Sequence, residues 1–218
     1  QNNVQNANAM LSTAEGNLDV VQDNLSRIRD LTLQAKNGTY SEEEIQAMQD
    51  EVAERMAEID RISTSSKYSS LSLFNDTDLQ ANGVTFQVGA DYTENNTISA
   101  DASIFDKVTF SALTGMAAGF DLTAMNNDPA TPAGPGTAEK PAAGSYAEAV
   151  QKLDEALDNI TARKSEIGSA QNRLESALDT LTTQYENLSS AKSIITDADV
   201  AQEASNFTQQ QILQQVST

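Results

Sequence analysis

The sequence predicts a mainly α-helical fold: an elongated antiparallel helical bundle, a coiled-coil-like rod, with a small β-hairpin region. Three observations predict it. Apolar residues recur at three- and four-residue spacing near both ends of the 218 residues, and a short alternating segment lies between them. A hydrophobic fraction of 39% with only 5% aromatic residues is lean for a compact globule and suits a narrow core stripe.

The first stripe runs Val4, Ala7, Leu11, Ala14, Leu18, Val21, Leu25, Ile28, Thr32 and Ala35. That is one face of a helix from Val4 to Lys36, about 50 Å long at about 1.5 Å per residue. Asn37-Gly38 tolerates a left-handed C-terminal turn and should stop it. Ser41 and Glu44 then have capping-box spacing, and Glu42 and Glu43 complement the positive end of the dipole, so a second helix is expected over residues 42–62. Ile45, Met48, Val52, Met56, Ile59 and Ile62 form its inner face, and the short link makes the two helices antiparallel or sharply bent.

After Ser63 the chain turns to Ser/Thr/Asn/Asp-rich sequence. Val84-Thr85-Phe86-Gln87-Val88 alternates apolar and polar residues, Gly89-Ala90-Asp91 is able to turn, and Thr97-Ile98-Ser99 pairs back as a hairpin. Residues 104–144 leave room for a small excursion or loop, of which 126–144, with all four prolines, read as an irregular linker.

The strongest periodic signal comes last. Tyr146, Val150, Leu153, Leu157, Ile160, Lys164, Ile167, Gln171, Leu174, Leu178, Leu181, Tyr185, Leu188, Lys192 and Ile195 form a 3,4 ladder. It predicts a coiled-coil-like helix of about 75 Å, with polar breaks at Lys164, Gln171 and Lys192 that fix register. Thr196-Asp197-Ala198-Asp199 reads as a stop and a fresh N-cap, followed by a final helix carrying Val200, Ala204, Phe207, Ile212, Leu213 and Val216. The expected divisions are therefore 1–103, 104–144, 145–196 and 197–218. Both ends fall inside helical pattern, so the chain is expected to be the middle piece of a longer protein.

Composition narrows the chemistry. With no Cys and no His there is no disulfide framework, thiolate nucleophile, imidazole base or His-ligated metal. A net charge of −19 opposes binding to nucleic acid or to an anionic membrane surface. No apolar stretch approaches a membrane span, and the start lacks a leader pattern.

The remaining motifs read as structure. Asp76-x-Asp78 and Asp197-x-Asp199 fail as calcium loops because Ala81 and Gln202 stand at the required glycine, leaving turn and capping carboxylates. Ser189-x-x-Lys192 lacks the companion motifs of serine acyl enzymes, and Gly134-Pro135-Gly136 is no phosphate loop. Glu42 and Glu43, exposed at a helix start, have no burial to separate their pKa values. No catalytic residue, cofactor or metal is expected.

The segment from Ser26 to Gln34 suits a merely solvated face least. Ile28 lies on the inner stripe, whereas Leu31 and Leu33 fall outside it, with Arg27 one turn before Leu31. Ordinary packing on the second helix is one reading. An outward apolar residue flanked by Arg27 and Gln34, serving as a protein contact, is the other.

Residues 25–39, Ile45-Gln-Ala-Met-Gln-Asp-Glu51 and Arg55-Met-Ala-Glu-Ile-Asp-Arg61 closely resemble the N-terminal conserved region of bacterial flagellin, and Phe86-Gln-Val-Gly-Ala90 resembles the hairpin that follows there. Asn172-Arg-Leu174, residues 187–193, Ile195-Thr-Asp-Ala-Asp-Val-Ala201, Glu203-Ala-Ser-Asn206 and Gln211-Ile-Leu-Gln-Gln215 resemble its C-terminal region. The resemblance covers about residues 1–100 and 145–218.

It implies a non-enzymatic structural subunit, secreted and polymerised into the extracellular flagellar filament, and a homo-oligomer in full-length form. A piece lacking most of the terminal helices would stay monomeric. The resemblance also implies binding of the flagellar export chaperone through the C-terminal segment, only part of which Val200 to Thr218 retains. It further implies recognition by Toll-like receptor 5 through Arg27, Leu31 and Glu51, with Ile28 and Gln34 on the same receptor and subunit contact. Ser26 and Asp30 stand where many recognised flagellins carry Gln and Glu. A hook-filament junction protein of the same superfamily is the alternative.

Overall fold

The computed structural model describes residues 2–89, 93, 96–116, 120–125 and 145–216, and in the last stretch not every side chain beyond residue 196. Helix α1 (Asn2–Lys36) buries all ten residues of its expected stripe. It ends where Gly38 takes a positive φ of 65°. Helix α2 (Glu42–Ser65) starts on the anticipated capping box, in which the Ser41 hydroxyl accepts from the Glu44 backbone N–H and the Glu44 carboxylate accepts from the Ser41 N–H. The bonds from Ser41 hold the Glu44 carboxyl below its ordinary pKa.

Two antiparallel ribbons follow α2. Strands β1 (Lys67–Tyr68) and β2 (Leu71–Ser72) make a minimal one. Helix α3 (Thr77–Asn82) is capped by Asp76, whose carboxylate accepts from the backbone of Asp78 and Leu79, so Asp76 is the capping residue expected there. Strands β3 (Val84–Gln87) and β4 (Thr97–Ala100) then form the predicted hairpin, with Phe86 opposite Ile98. β3 lies against α1, and β4 lies against the last long helix, named α5 below (Tyr146–Val216). The hairpin therefore bridges the two long helices.

The central segment departs from the expectation of an excursion. A 3-10 turn (Ala102–Phe105) and helix α4 (Phe110–Thr114) run back along the rod. Ile104, Phe105, Val108, Phe110, Phe120 and Leu122 are all buried. Six large apolar side chains within 19 residues carry more burial energy than a loop would leave in water, at roughly 1.5–3 kcal/mol each.

Polar ties from both neighbouring helices hold this segment down. Asp60 accepts from the Phe110 N–H at 2.9 Å, and the nine-tenths buried Arg163 donates to the Asp106 carbonyl at 2.9 Å and to Asn159 at 2.7 Å. The Gln49 amide does two jobs, donating to the Phe120 carbonyl at 3.0 Å and accepting from the Leu122 N–H at 2.8 Å. The Tyr146 hydroxyl donates to the Leu122 carbonyl at 2.7 Å, which fastens residue 122 to the first turn of α5. Phe110 and Phe120 meet edge to face, with centroids 5.4 Å apart. Residues 126–144, including Gly134-Pro135-Gly136, lie outside the described residues.

The last helix corrects a second expectation. α5 is continuous over 71 residues and passes through Thr196–Asp199 without the stop and fresh N-cap anticipated there. Thr and Asp are only mildly unfavourable inside a helix, and neither Gly nor Pro occurs from residue 196 to 216 to break it. The side chains of Asp197, Asp199, Val200, Ala204, Leu213 and Val216 lie outside the described residues.

α1 and α5 pack antiparallel, and polar contacts keep their register. Arg29 pairs with Asp154, and Lys164, ten residues further along α5, pairs with Asp19, ten residues back along α1. Gln171 reaches Ser12 and Glu15 in the same sense. Two of the three expected polar breaks thus join α5 to α1, while Lys192 is exposed.

Candidate functional site

The expected contact residues gather where α2 lies along the C-terminal half of α1, though not with the exposure anticipated. Arg27 projects from α1 onto α2 and makes a bidentate pair with Glu51, Nε to Oε1 at 2.8 Å and Nη2 to Oε2 at 2.9 Å. Glu51 also accepts from Arg55, one turn later on α2, at 3.0 Å. Arg55 in turn donates to the Asn24 carboxamide oxygen at 3.1 Å, which returns the network to α1. One carboxylate therefore sits between two guanidinium groups, in the fork geometry that favours Arg over Lys.

The three charged side chains keep between 33% and 41% of their surface, so the network is open to a partner. The hydrogen bond from Arg27 holds the Glu51 carboxyl below the ordinary range, and the reciprocal bond raises the Arg27 guanidinium further. Both shifts favour the ionised forms of Arg27 and Glu51. The face thus presents a fixed array of two positive charges and one negative charge.

Leu31 does not point outward. It is 2% exposed, and so is not the apolar contact anticipated. The reason is geometric: the 3,4 stripe marks only the side of α1 that meets α5, while α2 covers a second side. Asn24 and Arg27 are bonded to α2, and Leu31, one turn after Arg27, continues that side. Ile28 is fully buried on the stripe, and Gln34 is half-buried at its edge. Of the five expected contact residues, Arg27 and Glu51 are joined in one network, Gln34 reaches the surface, and Ile28 and Leu31 support from beneath.

Sequence reasoning missed Arg55 and Asn24. Arg55 was discoverable, because Glu51 and Arg55 have the i,i+4 spacing of a helical ion pair. The burial of Asn24 was not, since it depends on how α2 lies across α1.

Elsewhere, Tyr185, Leu188, Ile194, Ile195, Phe207 and Ile212 on the projecting part of α5 are each more than half exposed. Among the described residues no group of three His, Cys, Asp or Glu is placed to hold a metal, and no helix is long and apolar enough to cross a membrane.

Comparison with known proteins fits this architecture. Residues 1–78 match the bacterial flagellin N-terminal helical region, and residues 150–218 match the bacterial flagellin C-terminal helical region. The chain is 31% identical over its whole length to a flagellar filament 30.7 kDa core protein of Treponema maltophilum, covering 72% of that protein. It is 33% identical over 99% of its length to a flagellin of Halalkalibacterium halodurans, covering 70% of it, and 32% identical over 99% to a flagellin of Bacillus subtilis, covering 73%. In fold it is similar to the crystal structure of Bacillus cereus flagellin, with a TM-score of 0.58 at 24% identity, covering 86% of this chain and 93% of that one. With both conserved helical regions matched in order around a shared rod, the chain belongs to the bacterial flagellin family, the structural subunits of the flagellar filament.

Proposed function

We propose that this chain supplies the rod of a secreted filament subunit that serves swimming motility. The observation that carries this reading is the apolar face on the projecting part of α5 that no other described residue covers. Exposed large apolar residues at helical spacing, from Tyr185 to Ile212, are costly in a monomer and useful in a polymer. Electron microscopy tests it. Residues 1–218 should stay monomeric, whereas the same chain extended by terminal helices at both ends should grow long filaments. An extended chain that forms only short rings would favour a hook-filament junction protein instead.

The partner assignments belong to the same proposal. The flagellar export chaperone takes the projecting segment of α5, and Toll-like receptor 5 engages the Arg27, Glu51 and Arg55 face. The bidentate, partly exposed pair supports the receptor assignment, since preordered guanidinium groups are typical anchors at protein contacts. Arg27→Ala should lower receptor activation about tenfold, as expected for loss of an arginine anchor, with little change in the unfolding midpoint. Equal activation by wild type and variant at matched concentration would remove the assignment. Leu31→Ala is not an equivalent test, because emptying a buried site costs about 2–5 kcal/mol of stability by itself.

A further inference from the structure

The chain contains two Asn-Gly dipeptides, Asn37-Gly38 and Asn82-Gly83, and both asparagines are exposed. Their backbones are held very differently. We propose that Asn37 is a site of spontaneous, structure-directed modification, a deamidation through its succinimide, and that Asn82 is protected from the same reaction.

The chemistry needs a backbone nitrogen free to move. The Gly38 nitrogen attacks the Asn37 side-chain carbonyl carbon, forming a C–N bond. The bond from that carbon to the amide nitrogen Nδ2 breaks, and ammonia leaves with the proton lost by Gly38. Water then opens the ring at one of its two carbonyls, leaving either an aspartyl or an isoaspartyl linkage to Gly38. No oxidant or reductant takes part.

At Asn37-Gly38 nothing opposes the attack. The pair lies in the turn between α1 and α2, and the last backbone bond of that turn comes from the Asn37 N–H to the Gln34 carbonyl at 3.1 Å. Among the described residues the Gly38 N–H has no hydrogen-bond partner. Gly38 has a positive φ of 65°, and among the described residues, its chain neighbours aside, no heavy atom lies within 4 Å of where its side chain would begin. The nitrogen is therefore exposed on a turn with space for the five-membered ring.

Asn82-Gly83 is also exposed at the asparagine but closed at the nitrogen. Asn82 is the last residue of α3, and the Gly83 N–H donates to the Leu79 carbonyl at 2.9 Å. On its other side Gly83 abuts the Ala100 carbonyl and the Ala102 nitrogen, so closely that a Cβ there would clash. Forming the ring would require breaking the helix end and lifting it off β4, a local opening the native state resists.

The modification places a new carboxylate one residue beyond Lys36, at the end of α1 whose dipole disfavours negative charge. The isoaspartyl product also adds a methylene to the backbone of the α1–α2 turn. Subunits would thus acquire an age-dependent charge mark at one defined position.

Incubating the intact folded protein in mildly alkaline buffer made with heavy-oxygen water, followed by peptide mapping, tests the proposal. A parallel sample is held in concentrated urea. In the folded protein Asn37 should convert at least about tenfold faster than Asn82, the gap that local opening imposes, and in urea the two rates should converge. Similar rates in the folded protein would overturn the proposal. So would a difference that persists in urea, because it would then reflect flanking sequence and not the fold. Gly38→Ala should abolish the fast conversion and the acidic satellite band it produces on isoelectric focusing.

Discussion

The two halves of α5 carry the same apolar ladder and differ in what lies against it. From Tyr146 to Leu174 the helix buries Leu153, Ile160, Ile167 and Leu174, with Ala149, Ala156 and Ala170 allowing close approach. By Leu178 and Leu181 burial is only partial, and from Tyr185 onward the ladder is exposed, with Leu188 at 70%. In the register set by Arg29–Asp154 and Asp19–Lys164, the described part of α1 runs beside α5 up to about the level of Leu181. Periodicity thus reveals that a helix has an apolar side without saying whether that side is covered within the chain.

The sharpest way to break this comparison is to truncate one leucine in each half. Leu174→Ala should cost about 2–5 kcal/mol, the usual range for a fully buried leucine. Leu188→Ala should change the stability of the monomer by no more than about 0.5 kcal/mol. Urea denaturation of both variants measures the contrast, and equal costs would mean that the projecting half packs in solution.

A smaller effect would sharpen the status of residues 104–122. If they belong to the core, Gln49→Ala should destabilise the rod by about 1–3 kcal/mol, because it leaves the Leu122 N–H and the Phe120 carbonyl without their partner. Hydrogen exchange should show protection lost at the Leu122 amide first. An unchanged midpoint with unchanged protection would return the segment to the status of a loop.

The smallest effect concerns the charged face and sets it apart from the buried rod. Glu51 is held below its ordinary pKa of 4.5, chiefly by the Arg27 hydrogen bond. Its contribution is therefore fully present above that ordinary value and is lost as pH falls through the depressed one. Glu51→Gln should lower stability slightly at neutral pH, and its difference from wild type should vanish in acid. Thermal melts across an acid series, at low salt, would detect it.

Much of the rod was legible in the sequence because its elements are long and locally determined. The α1 stripe, the Asn37-Gly38 stop, the Ser41–Glu44 box and the pairing of residues 84–87 with 97–100 follow from spacing and from residues with strong local preferences. What escaped depends on surroundings. The burial of Leu31 is hidden because a single stripe marks only one of the two sides on which α1 is covered. The run of α5 through Thr196–Asp199 is hidden because capping residues stop nothing without a change of backbone direction. The role of Gln49 had no local signal, since its two partners lie more than seventy residues away. At the charged face, Arg27 and Glu51 rested on the family resemblance, and the i,i+4 partner Arg55 was overlooked.

The hydrogen bond from Tyr146 to the Leu122 carbonyl has a polymer-physics consequence. It ties residue 122, shortly before the connection through 126–144, to the first turn of α5, so the rod asks of that connection only that its ends meet. The entropy of closing a flexible loop grows with the logarithm of its length, and each doubling adds only about 0.6 kcal/mol. The rod is therefore nearly indifferent to how much sequence is inserted there. Its tolerance for insertion is set where Tyr146 holds residue 122 against the first turn of α5.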